Sequence, residues 1–145
     1  MYAKILVPID GSECAWRALE HASALGGKFD AQLVVVTVVQ PYNNAALLSV
    51  PLDRKTINDS NAELEKIGDN VLKMAAERLI KYPGKVDYIV EVGHPSERIL
   101  AMAKKNAVDL IVLGSRGLSG IAEFFLGSVS SKVSQYADVP VLIVK

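Results

Sequence analysis

Apolar positions along the chain follow two rhythms in turn, short continuous runs and stripes at helical spacing. Lys4–Ile9, KILVPI, is a short apolar run that stops at Asp10-Gly11-Ser12 and reads as a first strand. Pro8 lacks the N–H of a sheet ladder, which is tolerable near a strand end where pairing lapses. Ser12 is placed to cap a helix, with Glu13 in the first turn where negative charge suits the dipole. Ala15, Ala18, Leu19, Ala22 and Leu25 then form one stripe, and Gly26-Gly27 are expected to end that helix. Gln32–Val39, QLVVVTVV, is β-branched and apolar on both faces, the pattern of a second, buried strand.

Gln40–Asn61 has no steady period and reads as a long connection with a helical turn through Ala45–Val50. From about Asn61 to Tyr82 the helical period returns through Leu64, Ile67, Val71, Met74, Ala75 and Leu79, and Pro83-Gly84 stop it. Val86–Val92 is a third strand, less buried because it carries Asp87 and Glu91. Gly93–Glu97 turns into a helix with Pro95 near its first position and Ile99, Leu100, Met102 and Ala103 on its apolar face. Leu110–Leu113 is a fourth strand, buried on both faces, that ends at Gly114-Ser115-Arg116-Gly117. Nine residues later Gly127-Ser128 open a helix that runs to about Ala137, and Val139–Val144 closes the chain as a fifth strand. Pro140 favours a sheet edge for it. Alternation of this kind predicts an α/β fold, three layers, with a mostly parallel sheet, right-handed crossovers and helices on both faces.

Bulk properties narrow the function. At 145 residues, 50% apolar and 22% charged, the chain suits one globular domain over residues 1–145. Sixteen basic residues balance sixteen acidic ones, so no overall field draws it to nucleic acid or an anionic membrane. No segment nears the ~20 apolar residues of a membrane helix, and the start shows no leader pattern. Lone Cys14 precludes an internal disulfide, and His21 and His94 have no partners at metal-ligand spacing. These features predict a soluble, cytoplasmic protein.

In open α/β sheets, ligands bind beyond the carboxyl ends of strands where the winding reverses. Two strand ends carry suitable residues, Pro8–Ser12 and Gly114–Gly117, and they share a crevice if the first and fourth strands are neighbours. Neither GxxxxGK[ST] nor GxGxxG occurs. Gly114-xx-Gly117 alone is a common tight turn, but Gly127-Ser128 adds a helix start whose N–H groups attract anions. Together they read as a phosphate cradle formed by main-chain amides that the glycines expose. A β-branched residue at 117 or 127 would block the approach and disfavour a positive φ. Arg116 offers a charge-assisted contact, with a solvated loop arginine as the plain alternative. Asp10 would repel an anion directly, so it suits ribose hydroxyls, an amino group or a divalent metal. Cys14, in a helix's first turn, has either a lowered pKa or the plain role of a small buried residue.

The frame ILVPIDGS, the helix entry GHPSERI, the strand DLIVLGSRG, the spacing G-xx-G-x9-G-S (Gly114, Gly117, Gly127, Ser128) and the closing PVLIVK resemble the universal stress protein family. The resemblance covers essentially the whole chain, and the glycine motif is similar to that of the family's ATP-binding branch. It implies a Rossmann-like sheet, of the adenine nucleotide alpha hydrolase kind, in strand order 3-2-1-4-5 with a nucleotide across strands 1 and 4. It further implies Pro8 and Asp10 in the nucleoside pocket, the Val38 main chain on adenine, and Leu113 and Gly114 on the ribose side. Gly117, Gly127, Ser128 and Val129 would hold phosphates, with Ser115, Arg116 and Ser130 as additions and residues 118–126 arching over them. ATP, AMP or ADP is the implied ligand, with Mg²⁺ or Mn²⁺ reached by Asp10 through water. The implied role is a stress-response switch in a homodimer, and the apolar edge Val139–Val144 invites pairing with a second copy. Two alternatives stay open. One is a weak ATPase or autophosphorylating enzyme with Ser119, Ser128 or Ser130 as acceptor, slow because no residue stands as a general base. The other is a flavodoxin-like electron carrier.

Overall fold

The computed structural model of the protein describes residues 1–41, 54–117 and 126–145, the stretch 54–60 by its backbone alone. Strands β1 (Lys4–Pro8), β2 (Gln32–Val39), β3 (Val86–Val92), β4 (Leu110–Gly114) and β5 (Val141–Val144) form a sheet in the order β3-β2-β1-β4-β5. Every neighbouring pair is parallel. Helices α1 (Glu13–Phe29), α2 (Arg54–Arg78), α3 (Pro95–Lys105) and α4 (Ser128–Tyr136) connect them. Ile5, Val7, Leu33, Val35 and Val112 pack against α1 and α2 through Ala18, Leu19, Leu72 and Ala75. Leu6, Val34, Val36, Ile111 and Leu113 pack on the other face against Ile99, Met102 and Val133 of α3 and α4. Covered on both faces, β1, β2 and β4 are apolar along nearly all of their length, the exceptions being Lys4, Gln32 and Thr37. β3 lies at an edge and is half-exposed, which accounts for its Asp87 and Glu91.

Two helices depart from the sequence reading. Gly26 and Gly27 do not end α1, which runs on to Phe29 and is capped by Asp30 in the left-handed region at φ 53°. Gly26 is a packing residue: a Cβ there would overlap the Tyr82 hydroxyl and press on Leu33. The helix expected from Asn61 begins instead at Arg54. RKTINDS has no apolar period to announce a helix, and a solvated helical extension needs none. Its buried row is Leu64, Gly68, Leu72, Ala75 and Leu79, whereas Ile67 and Met74 are 55% and 47% exposed. Gly68 sets this roll by letting the helix approach the sheet, since a Cβ there would stand 2.8 Å from Val90 Cγ1. The helical turn expected at Ala45–Val50 and all but the last residue of the arch expected over 118–126, with Ser119, lie outside the described residues.

The winding reverses between β1 and β4. Their register is confined to Ile5–Leu110 and Leu6–Ile111, and beyond it the two strands part. Ile9 N–H donates to Val36 O at 2.8 Å, so position 8 turns its nitrogen side away from β2, toward the parting. Proline is therefore tolerated in a central strand because no acceptor is lost there.

Candidate functional site

A cavity of about 400 Å³ opens where β1 and β4 diverge, within the roughly 300–1,000 Å³ range of small-molecule sites. Pro8, Val38, Leu113 and Gly114 line it from the strand ends, Asp10 from the turn beyond β1, and Arg116, Gly117, Gly127, Ser128, Val129 and Ser130 from the approach to α4. Eleven of the twelve residues named from the sequence thus meet in one hollow, whereas Ser115 is buried and does not line it. Sequence reasoning missed Ile9, Ala15, Gln40, Pro95 and Ile99, which line it too. Pro95 and Ile99 were read only as a helix start and a core position, and Gln40 only as the start of a connection.

The β1–α1 junction is closed by its own side chains. Gly11 sits at φ +87°, a conformation glycine adopts without strain. That turn lets Asp10 Oδ1 accept from Ser12 N–H at 2.9 Å. Ser12 Oγ in turn accepts from Ala15 N–H at 3.2 Å, capping α1, whose first turn carries Glu13. The Asp10 carboxylate reaches across the hollow to the opposite turn, where a Cβ at Gly117 would stand 2.7 Å from Oδ2.

The β4–α4 junction is built differently. Ser115 N–H donates to Val144 O at 2.8 Å, and Ser115 O accepts from Gly127 N–H and Ser130 Oγ, each at 2.8 Å. That carbonyl pins the start of α4 beside the end of β4. Gly127 is the N-cap residue with no side chain to cap, and no acidic residue lies in the first turn. The first helical bond is Ser131 N–H to Gly127 O at 3.0 Å. The N–H groups of Ser128, Val129 and Ser130 therefore have no acceptor within the helix.

Three expectations are corrected here. The Gly127 N–H is not free for the cradle, because it is committed to Ser115 O. Among the described residues glycine takes a positive φ at Gly11 and Gly93, not at Gly117 or Gly127, whose φ is −61°. Gly114 is a glycine because α1 packs on it: a Cβ there would lie 2.8 Å from the carbonyl carbon and Cβ of Cys14. Ser130 is buried, and its hydroxyl is engaged with Ser115 O and, at 3.1 Å, Gly127 O, which leaves its main chain to face the hollow. Ser128 is exposed at the lip.

Cys14 is buried, with Sγ 3.8 Å from Ser115 Oγ and accepting from Arg17 Nη2 at 3.1 Å. Burial alone would raise its pKa; the Ser115 hydroxyl, the Arg116 N–H and the Arg17 guanidinium outweigh it and hold the thiol below its ordinary value. His21 Nδ1 pairs with Arg17 O at 2.9 Å, and His94 Nδ1 with Ser96 Oγ at 3.2 Å. Among the described residues, no group of three or more His, Cys, Asp or Glu side chains could hold a metal ion. A single carboxylate, Asp10, suits an ion that arrives with phosphates and keeps its waters, as Mg²⁺ does. No helix among the described residues is long and apolar enough to cross a membrane.

A sequence model of the universal stress protein family matches residues 1–145. Universal stress protein YxiE of Bacillus subtilis is 38% identical over 150 residues, covering 100% of both chains. The solved structure of MJ0577, a universal stress protein of Methanocaldococcus jannaschii, superposes with a TM-score of 0.87 at 31% identity, covering 100% of this chain and 96% of that one. A universal stress protein solved in complex with cAMP superposes with a TM-score of 0.73 at 26% identity, covering 99% of this chain and 97% of that one.

Proposed function

This chain belongs to the universal stress protein family, and on that premise we propose that it binds an adenine nucleotide, ATP foremost, between β1 and β4. One observation carries the reading: α4 opens on the hollow with three N–H groups that have no acceptor within the helix, no side-chain cap and no acidic residue in its first turn. Such a helix start attracts phosphate. Gly117 keeps the opposite wall low enough for the phosphates to enter, and Arg116 adds charge-assisted contacts. Asp10, on the other wall, accepts from the ribose hydroxyls, with Pro8, Leu113 and the Val38 main chain around the nucleoside. Mg²⁺ or Mn²⁺ enters with the phosphates and meets Asp10 through water. The relative solved with cAMP supports the ligand class.

The same reading makes the protein a nucleotide-dependent switch in the cytoplasm rather than a fast catalyst. Asp10 is the one carboxylate among the described residues lining the hollow, and its Oδ1 is occupied by Ser12 N–H. A general base aimed at a water is absent from that set, so turnover is slow. β5 ends the sheet with Val141–Val144 along its edge, and a second copy pairs there to form a homodimer; light scattering at micromolar concentration tests this, and a monomer contradicts it. For the site, calorimetry with ATP on the wild type and Gly117→Val is decisive. Saturable binding to the wild type that disappears in a folded Gly117→Val supports the reading, and equal binding by both overturns it.

A further inference from the structure

The lining of the hollow divides by chemistry along its length. The α4 end offers amides, Ser128 and Arg116, whereas the β2–α3 end is walled by Val38, Pro95 and Ile99. One polar side chain stands among those apolar ones, Gln40, just past the end of β2. Side chains alternate along a strand. Val36 packs in the cluster with Ile99, and Val38 packs against the same cluster, while Gln40, one residue past the strand, lines the hollow with Val38, Pro95 and Ile99. β2 and β4 flank β1, two strand spacings of roughly 4.8 Å apart. A nucleotide with its phosphates at α4 and its ribose over Asp10 thus carries its base to the β2 end.

We infer that the Gln40 side-chain amide reads the edge of the bound purine and so helps to set which base the site accepts, an inference that rests on the nucleotide reading above. The apolar walls satisfy the faces of a purine ring, but its edge loses water on entry and needs partners. A carboxamide presents an acceptor beside a donor, which matches the amino group and adjacent ring nitrogen of adenine. The slot is held at a fixed width. Arg98 Nε and Nη2 donate to Glu91 Oε2 at 3.1 and 2.6 Å, tying α3 to β3, and Glu91 is the register partner of Val38. Gly93 N–H also donates to Val39 O at 3.0 Å, so the chain just before Gln40 is anchored.

The test pairs a change in the protein with a change in the ligand. Affinities of ATP and of purine riboside triphosphate, which lacks the 6-amino group, are measured by calorimetry on the wild type and on Gln40→Ala. Gln40 is exposed, so its truncation should leave the fold intact, and thermal unfolding verifies this. Loss of the amino group should weaken binding to the wild type, and that penalty should shrink roughly three- to tenfold in Gln40→Ala, the scale of one net hydrogen bond. An equal penalty in both proteins overturns the role of Gln40 while leaving nucleotide binding in place. Failure of the wild type to bind ATP at all overturns both.

Discussion

Of the helices that start at the carboxyl end of the sheet beside the hollow, α1 and α4 start in opposite ways. α1 is closed by its own sequence: Ser12 caps it, Asp10 holds Ser12 N–H, and Glu13 supplies negative charge. α4 has none of these, only Gly127 at its N-cap and the amides of Ser128, Val129 and Ser130 with no acceptor within the helix. Glycine in place of a capping side chain costs only about a few tenths of a kcal/mol, and here the Ser115 carbonyl fixes Gly127 and Ser130 in its stead. The fold therefore does not require α4 to be closed. In the proposed reading it is kept open toward the nucleotide phosphates, and the acidic, self-satisfied junction at α1 would face the neutral, donor-bearing part of the ligand.

Making α4 begin as α1 does is the strongest way to break this contrast. Gly127→Asp keeps an N-cap conformation that aspartate favours, φ −61° and ψ 161°, with a tight 3.3 Å approach of its Cβ to Ser115 O. ATP affinity should fall about a hundredfold or more, because a carboxylate against phosphate costs several kcal/mol. Melting temperature should stay level. A variant that binds ATP normally would contradict the anion role of this helix start. Gly114→Ala should do the reverse, since its Cβ meets the Cys14 main chain at 2.8 Å. A loss of roughly 1–3 kcal/mol in denaturant unfolding is expected from overpacking.

Smaller effects sharpen the comparison. Arg116→Gln should weaken ATP about tenfold, as loss of one charge-assisted contact does. The deficit should be greatest at low salt, and a deficit indifferent to salt would make Arg116 a bystander. Ser12→Ala, at the closed junction, should cost about 1 kcal/mol of stability and leave ATP affinity within a factor of two; a large binding defect would show that the two junctions are not separable.

Most of the architecture was legible because buried parallel strands announce themselves. QLVVVTVV and VDYIVEV match β2 and β3 residue for residue. The misjudged points were those where tertiary packing overrode a local signal. Gly26 looked like a helix stop but is a contact with Tyr82 and Leu33, and the apolar Ile67 and Met74 were assigned inward although Gly68 rolls α2 away from them. At the site, glycine spacing pointed to turns that line one hollow, but it also counted on the Gly127 N–H, which is engaged elsewhere. That Gly127 N–H is spent on Ser115 O depends on how two segments meet in space, which no spacing rule records. Gln40 carries no motif at all, and only its place past the end of β2 brings it into view.

The claim that everything else leans on is that the α4 amides receive the phosphates, and amide-resolved NMR reads it directly. During titration of the ¹⁵N-labelled protein with ATP, the Ser128, Val129 and Ser130 resonances should shift farthest and saturate together, while the Ala15 amide, already bonded to Ser12 Oγ at 3.2 Å, should move little. Saturation of ATP binding with those three amides unmoved would contradict it.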